Sequence, residues 1–169
     1  MRIARLGFLI FVLVTLQTTL VADLNVRGTC ADIVMLLPIS VGIAYGREEG
    51  AIAGFAAGLV LDLVVHGTPA GFFALGYTLT GYIVGMSHAT ILRAAWWIPV
   101  LTAIGGSAVG VLTLGLLANI VGLEGYLDTH LAVVAIVVAV VNAVLVLPML
   151  RVVRWALPAP GGSGRLVVS

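Results

Sequence analysis

The chain has no lysine: all eight basic residues among its 169 are arginines, and only 9% of its residues are charged. Soluble proteins carry charge on about a quarter of theirs. Without lysine there is no P-loop, whose lysine reaches the phosphates, and no Schiff-base nucleophile. A lone cysteine, Cys30, excludes an internal disulfide and a thiolate metal cage, and reads as a small side chain near a membrane boundary. The three histidines, His66, His88 and His130, fall at span ends on opposite sides, so they do not converge on a metal ion. In the GGSAVG stretch around Ser107, Val109 stands where a G-x-S-x-G elbow needs its second glycine. A net charge of +1 gives no footprint for nucleic acid. Neither a catalytic residue nor a cofactor nor a metal is expected.

What is present is apolar: 62% of the residues are hydrophobic, in continuous runs rather than the alternating strands of a membrane barrel. Helices are the remaining way to satisfy backbone polar groups in lipid. The reading is an all-α polytopic membrane protein with six spans at about 6–22, 31–45, 50–65, 70–86, 96–119 and 130–147. These form one domain over 1–155, followed by a flexible cytoplasmic tail over 156–169 rich in proline, glycine and serine. The first span follows Arg2 and Arg5, as a signal peptide would. Its apolar run is unbroken to Val21, and Leu20 stands where cleavage before Asp23 would want a small residue, which favours an uncleaved helix. Asp32 falls in the first turn of the second span, where a carboxylate suits the positive helix end, and Pro38 is expected to kink that span and free the carbonyl of Val34. Residues Tyr45 to Glu49 read as a tight charged turn. Six spans with both termini inside put Arg2, Arg5, Arg47, Arg93, Arg151, Arg154 and Arg165 on the inner side and only Arg27 outside, a positive-inside distribution.

The most informative stretch runs from Gly50 to Gly85. Small residues at Gly50, Ala53, Gly54, Ala57 and Gly58 line one side of the third span, and Gly71, Ala74, Thr78, Gly81 and Gly85 line the fourth. A further stripe, Thr102, Gly106, Gly110 and Thr113, follows in the fifth. Such stripes let helices approach closely, either within the bundle or with a partner's helix. In the connecting turn, Thr68 suits an N-cap and Pro69 the first helical position. Asp62 is the one carboxylate inside an apolar run. It could clasp free backbone donors near Ala70 and Gly71 at the start of the fourth helix, pair with His66 four residues on as a proton-responsive couple or relay, or simply be hydrated at the interface. Asn142, the one polar residue inside the last span, reads as interhelical glue or, less simply, as a ligand.

Together these residues resemble a known family. Asp32, Gly54, Gly58, Asp62, Pro69, Gly71, Gly81 and Tyr82, in the order acid, glycine-rich helix ending Leu-x-Asp-Leu, Gly/Pro turn and helix with Gly-Tyr, resemble the rod shape-determining MreD proteins of bacteria over about residues 30–90. The resemblance implies a non-enzymatic inner-membrane scaffold of the cell-wall elongation complex, concerned with cell shape and peptidoglycan synthesis. It would bind a single-spanning MreC-like protein and, through it, a class B penicillin-binding protein and a RodA-type glycan polymerase, amid membrane lipid. It also implies a fold similar to the substrate-binding subunits of energy-coupling-factor vitamin transporters, which makes such a subunit the alternative. Against that alternative, the first span lacks the alanine docking motif those subunits carry, and the outer loops are too brief to line a pocket.

Overall fold

The computed structural model describes residues 2–21, 32–65, 68–88, 97–122 and 130–157. Six helices and no strand occur among them: α1 (Arg2–Leu16), α2 (Leu36–Tyr45), α3 (Arg47–Val64), α4 (Phe72–Met86), α5 (Ile98–Val121) and α6 (His130–Ala156). A π turn over Gln17–Val21 extends α1. Two of these helices, over Ile98–Val121 and Val134–Ala156, are long and apolar enough to cross a membrane.

The shortest helix is the innermost. Every residue of α2 from Leu36 to Ile43 is buried, and it packs against α3, α4, α5 and α6. A helix apolar all round has to be surrounded. The cause of the kink expected at Pro38 is absent, because α2 begins at Leu36 rather than near residue 31. Pro38 therefore sits in the first turn, where its missing N–H costs no intrahelical bond, and the Val34 carbonyl accepts from the Leu37 amide at 3.1 Å.

The charged turn is tighter than the sequence implies. Only Gly46 separates α2 from α3, at φ 98°, a left-handed conformation that glycine adopts without a Cβ penalty. Arg47, Glu48 and Glu49 thus belong to the first turn of α3, where the two glutamates face the positive end of the helix dipole. At the other extreme, α6 continues through Pro148 to Ala156 instead of ending at residue 147. Pro148 is exposed, whereas Met149, Leu150, Val153 and Ala156 beyond it are buried, so packing holds the helix together past the lost backbone bond.

The helices run alternately up and down, which gathers their ends at two poles. At one pole Arg5 of α1 meets Trp155 of α6, the Tyr45 hydroxyl donates to the Leu157 carbonyl, and His88 bonds the Ile43 carbonyl through Nδ1 at 2.8 Å. At the opposite pole the Gln17 side chain accepts from the Ile33 amide at 2.9 Å, and Asp32 and Asp62 lie among the helix starts.

The closest packing is between backbones. A Cβ on Gly54 would stand 2.2 Å from the Tyr77 carbonyl oxygen, one on Gly58 2.4 Å from that of Phe73, and one on Gly81 2.2 Å from that of Gly50. Gly42 joins the same contact from α2, 2.9 Å from where a Cβ on Gly50 would be. No rotamer change relieves a clash with backbone, so Gly54→Ala should destabilise the protein by about 1–3 kcal/mol or more. Gly105 meets nothing within 4 Å, and there alanine should be neutral or stabilise by about 0.5–1 kcal/mol through helix propensity. Thermal unfolding of both variants in detergent checks the contrast.

Candidate functional site

Position 62 continues the four-residue spacing of Gly50, Gly54 and Gly58, so the helix face that admits the α4 backbone ends in a carboxylate. There Asp62 Oδ2 accepts from the amides of Gly71 at 3.1 Å and Ala74 at 3.0 Å, and Oδ1 accepts from Phe73 at 3.0 Å. The first amides of a helix have no intrahelical partner, and an anion is favoured there. Asp62 thus caps α4 from a different helix. His66, its expected partner in a proton-responsive couple, lies outside the described residues.

This cap displaces the one expected from the turn sequence. α4 begins at Phe72 with Gly71, at φ 91°, as its boundary residue. Thr68 is therefore not the N-cap, and its buried hydroxyl has no hydrogen-bond partner among the described residues. Pro69 is not the first helical residue; its carbonyl accepts the Phe72 amide in the turn before the helix. Gly71 likewise leaves the packing stripe, since a Cβ there would meet nothing within 4 Å. Its role is conformational: the positive φ turns the chain so that its own amide and those of Phe73 and Ala74 converge on one carboxylate.

A second acid binds the same helix from farther along. Asp32 precedes α2 rather than falling within its first turn, and its Oδ1 accepts from the Met35 amide at 3.0 Å. Its Oδ2 accepts from the Tyr77 hydroxyl at 2.6 Å. Tyr77, wholly buried, was not singled out by spacing; a phenol in mid-span needing a partner is the signal that could have marked it. The two acids thus hold α4 at its start and one turn further on, and bring α2, α3 and α4 into one polar node.

The remaining candidates divide by contact. Gly85 packs on the Arg47 backbone, 2.4 Å from Cα for a notional Cβ; Gly106 faces Val84 and Ile39; Gly110 faces Met35 and Thr80. Thr78 is half-buried, its amide nitrogen under Gly54, and its hydroxyl donates to the Ala74 carbonyl at 2.5 Å. Asn142 is fully buried and donates through Nδ2 to Ser107 Oγ at 2.8 Å, while Ser107 donates to the Ala103 carbonyl at 2.7 Å. That chain ties α6 to α5. Gly42 and Gly76 also make close contacts and were missed. For Gly42 the signal was present, because positions 42, 46, 50, 54 and 58 are glycines four residues apart across the α2–α3 boundary.

Chemically, the node accepts donors from backbone amides and one phenol and closes helix ends. No group of three or more His, Cys, Asp or Glu side chains able to hold a metal ion occurs among the described residues. Asp62→Ala should expose three amides and cost about 1–3 kcal/mol, with faster hydrogen exchange at Gly71, Phe73 and Ala74. Asp62→Asn keeps one acceptor and should recover part of that loss. Tyr77→Phe should cost about 1–3 kcal/mol by depriving Asp32 of its hydroxyl donor, measured by thermal unfolding.

Compared with known proteins, the chain matches no family model, no curated protein and no solved structure.

Proposed function

We propose that this chain is a non-enzymatic, multi-pass scaffold of the bacterial inner membrane, serving the cell-wall elongation complex. The observation that carries the membrane part is the outer surface. Large apolar side chains point outward from α1, α3, α4, α5 and α6, among them Phe11, Leu63, Leu75, Ile120 and Val144, the last three 56%, 80% and 70% exposed. So continuous an apolar exterior suits lipid and partner helices, not water. Among the described residues the charged groups sit at the two poles, with Arg5, Arg47, Glu48, Glu49, Arg151 and Arg154 at one and Asp32 and Asp62 at the other. The positive-inside rule then favours the arginine pole as cytoplasmic.

In this reading all six helices belong to the membrane bundle. α2, whose ten residues reach only about 15 Å, is sheltered by its neighbours, and the Asp32 cap keeps its start satisfied inside protein. The resemblance to MreD proteins supports the particular role. The polar side chains of the node are engaged in holding helices, which accords with a protein that shapes a surface for others. An MreC-like single-spanning protein is the proposed direct partner, with a class B penicillin-binding protein and a RodA-type polymerase reached through it.

Affinity purification of the tagged protein from native membranes in mild detergent tests this. Recovery of an MreC-like protein with wall-synthesis enzymes is expected, and Gly81→Leu should reduce it about tenfold or more by disrupting the helix contact. Recovery instead of a transmembrane coupling subunit with ATPases would identify a vitamin-uptake subunit and reject the scaffold.

A further inference from the structure

The arginine pole is not uniform. On α1, Arg5, Phe8 and Phe11 recur every three residues and form one stripe; Phe8 and Phe11 are 65% and 67% exposed. On α6, Arg151, Arg154 and Trp155 are exposed, whereas Leu150 and Val153 among them are buried. The two helices meet here. The Arg5 guanidinium carbon lies 5.2 Å from the centroid of the Trp155 ring, and its Nη1 donates to the Trp155 carbonyl at 3.4 Å. Arg151 and Arg154 have no carboxylate partner among the described residues, and neither does Arg5.

We propose that this α1–α6 seam is a binding site for one anionic glycerophospholipid, its phosphate held between Arg5 of α1 and Arg151 and Arg154 of α6, and its acyl chains lying along Phe8 and Phe11. Charge complementarity selects the occupant. Arg5 at the helix contact and the exposed Arg151 and Arg154 on the last turns of α6 supply fork-shaped donors for a phosphodiester, and guanidinium pairs bidentately with phosphate oxygens. The indole of Trp155, at the end of α6 and against Arg5, is an aromatic ring of the kind that anchors at a membrane interface. Basic sites between helices on the cytoplasmic side recognise anionic headgroups in this way. A free phosphate ion would satisfy the arginines but leave the phenylalanine stripe uncovered.

The site rests on the membrane reading above, though not on the wall-synthesis role. The test uses the full chain reconstituted in nanodiscs, then released into the gas phase for native mass spectrometry after exchange with phosphatidylglycerol or phosphatidylcholine of matched chains. The intact protein should retain one phosphatidylglycerol about tenfold better than phosphatidylcholine, and inorganic phosphate should not displace it. The double variant Arg151→Gln, Arg154→Gln should lose that preference, while Arg47→Gln, whose guanidinium lies over Tyr82 on the α3–α4 side, should keep it. Should the double variant unfold, Arg154→Gln alone is read in its place, with a reduced preference expected. Equal retention of the two lipids, an unchanged preference in the arginine variants, or displacement by inorganic phosphate would each overturn the site while leaving the membrane reading intact. Failure of the protein to enter nanodiscs would overturn both.

Discussion

Three glycine backbones in van der Waals contact set the geometry of this bundle. Gly42 of α2, Gly50 of α3 and Gly81 of α4 meet so closely that a methyl group on Gly50 or Gly81 would overlap main-chain atoms of the others. If the bundle lies in lipid, as proposed, there is little hydrophobic gain from bringing helices together, and close packing with its dispersion contacts has to supply the attraction. The rest follows from that approach. Gly54 and Gly58 extend it along α3, Gly85 extends it toward the α2–α3 boundary, and the left-handed Gly46 allows α2 and α3 to fold back on one another within a single residue.

Close backbone approach also explains where the acids are. Once α3 lies against α4 in this register, the residue four beyond Gly58 reaches the unpaired amides that begin α4, and a carboxylate there removes three unsatisfied donors at once. Asp32 repeats the solution for the start of α2 and adds Tyr77. Elsewhere the polar side chains turn inward on their own helices: Thr80, Thr102, Ser107 and Thr113 each donate to the carbonyl four residues earlier. Asn142 then reaches Ser107 and links the two longest helices. Most of these polar side chains hold the bundle, while Ser40 Oγ, Thr68 Oγ1 and Asn142 Oδ1 are buried without a hydrogen-bond partner among the described residues.

The outside is the complement of that interior. With small residues turned inward, the large apolar side chains of five helices face out, and a bundle tied at its centre can present them as a fixed surface. Among the described residues charge is confined to the poles, with the arginines and Glu48 and Glu49 at one and Asp32 and Asp62 at the other. In the proposed membrane reading, that exterior would face lipid and the helices of other proteins.

The amino-acid sequence determined the helical class, the apolar character, the small-residue stripes and the placing of Asp62 beside the next helix start, because 3.6-residue periodicity and composition are properties of the chain alone. It could not show that α2 is the enclosed helix, since a wholly apolar segment gives no periodic signal of which side is buried. Nor could it separate Gly71, which turns the chain, from Gly81, which packs, as both satisfy the same spacing. Thr68 and Pro69 carried a valid local start signal that lost to Asp62, because three charge-assisted bonds from another helix outweigh a single hydroxyl cap. Likewise only the fold brought Asp32 to Tyr77 and Arg5 to Trp155, 45 and 150 residues apart in the chain. Local spacing fixes the faces a helix has to offer; which faces meet depends on backbone contacts between segments far apart, and those exist only once the bundle has closed.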